Sequence, residues 1–119
     1  MQPRDQDLLR RILRYCSRIA DYLQRINSSK ERFLSDPMIQ DACCMCIVQI
    51  GELAGLLSEA FKKQHSDIPW RAIKDTRNFY VHNYGSVDVG FVWSTIIDDI
   101  PGLRFWCHAQ LDAEANRRL

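Results

Sequence analysis

Apolar residues recur every three or four positions along nearly the whole chain, and no segment alternates with the period of two that a half-buried strand requires. That constraint points to helices throughout. Leu9, Ile12, Cys16, Ile19, Leu23 and Ile26 form one such series across residues 5–27; Leu8, Leu13 and Ala20 widen the stripe, and Asn27-Ser28-Ser29 ends it. Ser35-Asp36-Pro37 then supplies a capping residue and a proline at the first helical position, where its missing N–H costs nothing. A second helix is expected from there to about Lys63, with the small residues Gly51, Ala54 and Gly55 leaving room for a close neighbour. Ser66-Asp67-Ile68-Pro69 marks a third start, followed at helical spacing by Trp70, Ile73, Arg77 and Tyr80 or Val81 through about His82. Gly85 breaks that helix and Asp88 caps a fourth containing Phe91, Val92, Thr95, Ile96 and Ile97. Pro101-Gly102 is expected to separate the fourth from a short C-terminal helix. The fold class is therefore all-α, a four- to five-helix bundle forming a single domain over residues 1–119.

A chain of 119 residues with 46% hydrophobic and 26% charged composition suits one core, and its short length leaves much surface that a second copy would cover. No stretch approaches the roughly 20 uninterrupted apolar residues of a spanning helix, and MQPRDQDLLRR is charged where a signal peptide turns hydrophobic. The expectation is a cytoplasmic protein with no membrane partner. Five cysteines, Cys16, Cys43, Cys44, Cys46 and Cys107, are an odd number, and three crowd into CCMC within an apolar segment. Cys43 and Cys46 have the spacing of a redox pair or half a zinc site, but no second pair follows, so inert core thiols are the better reading. No metal ligand set and no cofactor are expected.

Formal net charge is only +1, yet it is distributed unevenly. Residues 1–32 carry eight Lys or Arg against four Asp or Glu, net +4, while residues 33–119 carry eight against eleven, net −3. Arg11, Arg14, Arg18 and Arg25 lie along one side of the first helix, which suits either a solvated face or a guide for a phosphate backbone.

The segment Arg77-Asn78-Phe79-Tyr80-Val81-His82-Asn83-Tyr84 concentrates a phosphate-matching guanidinium, an amide, an imidazole and two phenols into eight residues. That inventory suits phosphodiester cleavage and equally suits an ordinary polar helix end. Arg77 and His82 stand roughly 140° apart around a regular helix, whereas Asn78 and His82 share a face. A site using both needs Arg77 to reach around, the helix to end near His82, or a second copy of the motif to meet the first across a two-fold axis.

R-N-F-Y-V-H-N-Y resembles the R-x4-H-x-Y signature of the HepT-like branch of the HEPN superfamily, the toxin half of HEPN/MNT toxin–antitoxin pairs. FLSDPMIQDA, QIGELA, IPWRAIKDTRNFYVHNY and VDVGFVWSTIIDDIPGL resemble that branch in order and spacing, over about residues 8–103. The resemblance implies a HEPN-like bundle whose two subunits juxtapose their motifs in a homodimer, and metal-independent endoribonuclease activity toward an RNA substrate. It also implies a cognate MNT-type nucleotidyltransferase antitoxin that spends ATP to adenylylate the motif tyrosine, so ATP serves the partner and not this chain. Matched residue by residue, it assigns Arg77 and His82 as catalytic, Asn78 as supporting and Tyr84 as the modified residue. Glu52 carries over more weakly, since an acidic partner for a nearby arginine explains it as well, and Tyr80 is best explained by packing. A catalytically idle HEPN-type interaction or nucleotide- and RNA-binding domain is the alternative with the same bundle.

Overall fold

The computed structural model describes residues 1–83 and 85–119. The first helix, α1 (Pro3–Arg25), buries Leu8, Leu9, Ile12, Cys16 and Ile19 along one side, the stripe read from the periodicity. It stops where Asn27 and Ser28 take left-handed backbone angles, φ 53° and 52°. Asn tolerates that region better than most side chains, and the reversal lets the Ser28 N–H donate to the Leu23 carbonyl at 2.8 Å. Between Ser29 and Ser35 the chain forms a short further helix, α2 (Lys30–Leu34), capped by the Ser29 hydroxyl.

The central element is α3 (Pro37–Leu56), begun by Asp36, whose carboxylate accepts from the Ile39 N–H at 3.2 Å. Both α1 and α5 (Trp70–His82) pack on it. By length and composition α3 would also suffice to cross a membrane. Here its inward face, from Cys43 and Cys46 through Ile50 and Leu53, forms the middle of the core.

The structure corrects two helix boundaries. The second helix does not run to Lys63: it ends at Leu56, and α4 (Glu59–Gln64) begins afresh behind Ser58. Buried Asp5, in the first turn of α1, accepts from the Ser58 N–H at 2.9 Å and from its hydroxyl at 2.7 Å. The same hydroxyl accepts from the Phe61 N–H and so caps α4. Helix would continue only by giving up a carboxylate's two buried bonds.

Nor does Pro101-Gly102 set off a short last helix. From α6 (Val89–Ser94), begun by Asp88 as expected, the chain passes through a π-helical turn at Thr95–Asp99 into α7 (Ile100–Arg117), 18 residues long. Pro101 has no N–H to donate one turn back, and the wider turn before it absorbs that defect without ending the helix. The long α7 then packs on α1, with Cys107 and Glu114 buried.

All five cysteines are free thiols; Cys44 is half-buried and the other four are buried. Burial pushes the thiols of Cys16, Cys43 and Cys107 up to about 12, and raises those of Cys44 and Cys46. These groups are therefore almost wholly protonated near neutrality, and it is the thiolate that reacts. At pH 8 the folded protein should react with iodoacetamide at Cys44 at most, and at all five thiols once denatured. Mass spectrometry of the labelled chain checks this; rapid native labelling of Cys16 or Cys107 would contradict it.

Candidate active site

Around α5 the residues sort into two sides. Trp70, Ile73, Arg77 and Tyr80 follow the side turned toward α3, while Arg71, Asp75, Asn78 and His82 repeat at intervals of four, three and four on the other. Trp70 fixes the start by donating its indole N–H to the His65 carbonyl at 3.0 Å. Tyr80, 1% exposed, pairs its hydroxyl with that of Thr95 at 3.2 Å. Burial pushes its phenol up to about 12. It packs, as expected, and ties α5 to the π turn.

Arg77 occupies the crossing of α3 and α5. A Cβ at Gly51 would collide with the Arg77 Cβ, so only glycine at this position lets the two helices approach so closely. Past the crossing, the guanidinium donates through Nη2 to the Glu52 carboxylate and through Nη1 to the Asn78 Oδ1 at 2.7 Å. Its Nε is buried without a partner among the described residues. The fork is thus held from two sides, with its ion pair to Glu52 half-exposed. The sequence noted Gly51 as a point of close approach; that the approaching residue is Arg77 is visible only in the fold.

His82 closes the last turn of α5 and is exposed. Asn83 secures the end by donating its amide to the Phe79 carbonyl at 2.8 Å. Ser86 folds back onto the Asn83 carbonyl, and Gly85, at φ 88°, makes the reversal. The helix therefore ends at His82, one of the geometries that a working Arg–His pair requires. Tyr84 lies outside the described residues. Among the described residues no hydrogen bond or ion pair joins Arg77 to His82; Asn78, bonded to Arg77 and four residues before His82, stands between them. Among the described residues, too, no three His, Cys, Asp or Glu side chains gather as a metal site would need.

The profile of the family described as "Ribonuclease HepT-like" matches residues 12–107. The chain belongs to this family. Two relatives carry provisional ribonuclease names. One, from Caldanaerobacter subterraneus subsp. tengcongensis and named as an RNase, is 33% identical over 95 residues, covering 80% of this chain and 83% of its own. The other, from Thermococcus cleftensis and named as ribonuclease HepT, is 38% identical over 74 residues, covering 62% and 67%. No solved structure gives a significant match. At the level of its family, the HepT-like chain is assigned to the ribonucleases, with a helical HEPN bundle as its fold.

The crossing in this HepT-like bundle makes Gly51 the residue on which the position of Arg77 depends. Gly51→Ala should lower the unfolding free energy by about 1–3 kcal/mol through overpacking. Gly55→Ala, where a Cβ meets nothing within 4 Å, should instead leave stability unchanged or raise it by up to about 1 kcal/mol through helix propensity. Urea denaturation of both variants measures the difference, and equal effects would mean that the crossing is not tight at Gly51.

Proposed function

We propose that this chain is a metal-independent endoribonuclease, acting in the cytoplasm as the toxin of a toxin–antitoxin pair. Family membership supports the ribonuclease class, and one observation carries the site: Arg77 is held by Glu52 and Asn78 on the same helix that ends at His82. A guanidinium fixed in this way presents a planar fork to a phosphate and costs little further ordering when it binds.

In the proposed reaction the substrate's 2′-hydroxyl attacks the adjacent phosphorus. One His82 takes the hydroxyl proton, Arg77 stabilises the charge on the phosphorane, and the bond from phosphorus to the 5′-oxygen breaks. The departing 5′-oxygen takes a proton from a second His82, leaving a 2′,3′-cyclic phosphate and a 5′-hydroxyl. Two histidines imply two subunits. A homodimer is supported by the outward side of α3, where Met38, Met45 and Leu56 are 79, 55 and 51% exposed beside Glu52. A two-fold axis through that strip would bring the two motifs toward each other.

Cleavage of total RNA should persist in EDTA and leave cyclic phosphate ends. His82→Ala should lose about 10²–10⁴-fold in rate with its helical circular dichroism unchanged. Arg77→Lys, which keeps the stem over Gly51 and the charge but not the fork, should also fall by at least an order of magnitude. Products with 5′-phosphates, or full activity in His82→Ala, would contradict this mechanism; no activity in the wild type would favour an idle HEPN-type binding domain.

Regulation is proposed to act at Tyr84, two residues past His82. A partner nucleotidyltransferase of the MNT type would transfer AMP from ATP to the phenol, adding bulk and a negative phosphodiester next to the site and repelling RNA. Co-expression with that partner should add one or more adenylyl units to the intact mass, absent in Tyr84→Phe. An unmodified mass with full neutralisation would mean inhibition by binding alone.

A further inference from the structure

On α1, Arg11, Tyr15, Arg18, Tyr22 and Arg25 follow one another at intervals of four, three, four and three, which sets all five on one seam of the helix. The three arginines are exposed and the two tyrosines half-buried. The Arg18 guanidinium lies over the Tyr15 ring, 4.9 Å from its centre. Arg4, Arg10 and Arg14 are exposed on the same helix, and none of these six arginines forms an ion pair among the described residues. Of the acids on α1, Asp5 is buried against Ser58, leaving Asp7 and Asp21 at the surface. This is a cationic helix face with flat aromatic groups set between its charges.

We infer that this seam is a binding track for single-stranded RNA, distinct from the Arg77–His82 site and serving the cleavage proposed above. Phosphates pair with Arg11 and Arg25, and a base stacks on the Arg18 guanidinium, which Tyr15, itself packed against the core, holds flat from beneath. An anionic bilayer is the other surface that attracts arginines. An interfacial helix must also offer an apolar side to the lipid, whereas Leu8, Leu9, Ile12, Cys16 and Ile19 of α1 are spent in the core. Both α1 and α5 pack on α3, so the seam and Arg77 belong to two different helices of the bundle. A dinucleotide seated at the cleavage site would not reach the seam, and a longer strand would.

The test uses the full chain carrying His82→Ala and a fluorescent single-stranded RNA of about 20 nucleotides, with affinity read by anisotropy across a salt series. Adding Arg11→Gln, Arg18→Gln and Arg25→Gln together should weaken binding at least tenfold and reduce the slope of log affinity against log salt by about 2. Tyr15→Leu should weaken it severalfold without changing that slope, while Tyr15→Phe retains wild-type affinity. In otherwise wild-type protein the triple substitution should raise KM for the long RNA and leave dinucleotide cleavage unchanged. Unaltered affinity and slope in the triple variant would overturn the inference. So would a triple variant that keeps its RNA affinity but no longer binds phosphatidylserine vesicles, which would assign the seam to a membrane surface. Because the binding arm needs no turnover, seam-dependent RNA binding by a protein that cleaves nothing would sustain the track and refute only the catalytic reading.

Discussion

The crossing of α3 and α5 at Gly51 is the contact on which the candidate site depends. A hydrogen atom in place of a side chain allows the Arg77 stem to lie against the α3 backbone, and this brings its guanidinium level with Glu52. Tyr80, one turn further along the same side, reaches the core and bonds Thr95. From that crossing onward the direction of α5 is fixed from both sides: α3 beneath, and the π turn through the Tyr80–Thr95 pair. His82 inherits its place from those contacts, since it stands where the fixed helix runs out.

Polar groups are positioned with similar economy elsewhere. Asp5 holds the start of α1 against the start of α4, satisfying two donors of Ser58 while the Ser58 hydroxyl caps the new helix. Buried carboxylates need such partners, because an unpaired charge in a low-dielectric interior is costly. The cysteines follow the opposite logic: sulfur pays little to be buried as a protonated thiol, and Cys16, Cys43, Cys46 and Cys107 fill the core as small apolar groups. The CCMC cluster, which by spacing alone suggested redox or metal chemistry, is largely part of the interior face of α3.

Charge divides the molecule in a way that helix packing does not require. The arginines of α1 are exposed and unpaired among the described residues, whereas Arg77 is bound to an acid and an amide. A free cation on a helix surface is available to any polyanion. A cation already fixed by neighbours is directional, and selects a phosphate by geometry. In the reading proposed above, the two kinds of arginine would serve two steps, gathering a strand and holding one phosphate of it.

Local sequence determined most of the elements. The buried stripe of α1, the Asp36-Pro37 and Asp88 starts, the span of α5 to His82 and the packing role of Tyr80 all follow from residues within a turn or two of one another, so periodicity and capping rules suffice to read them. The motif residues were legible as a cluster for the same reason, and the family profile, matching residues 12–107, spans them and their flanks. The tertiary structure decided what depended on distant partners. Helix α3 stops at Leu56 because of a carboxylate 53 positions before Ser58, and Arg77 is anchored by an acid 25 positions upstream, across a glycine whose neighbour no local rule could name. The long α7 belongs to the same class: proline signals a break locally, but a π turn accommodates it when packing on α1 rewards continuing. Local preferences amount to tenths of a kcal/mol per residue, about 1 at a cap, whereas burying a satisfied carboxylate or closing a helix crossing involves several groups at once. Where the two disagreed in this chain, the distant contact set the outcome.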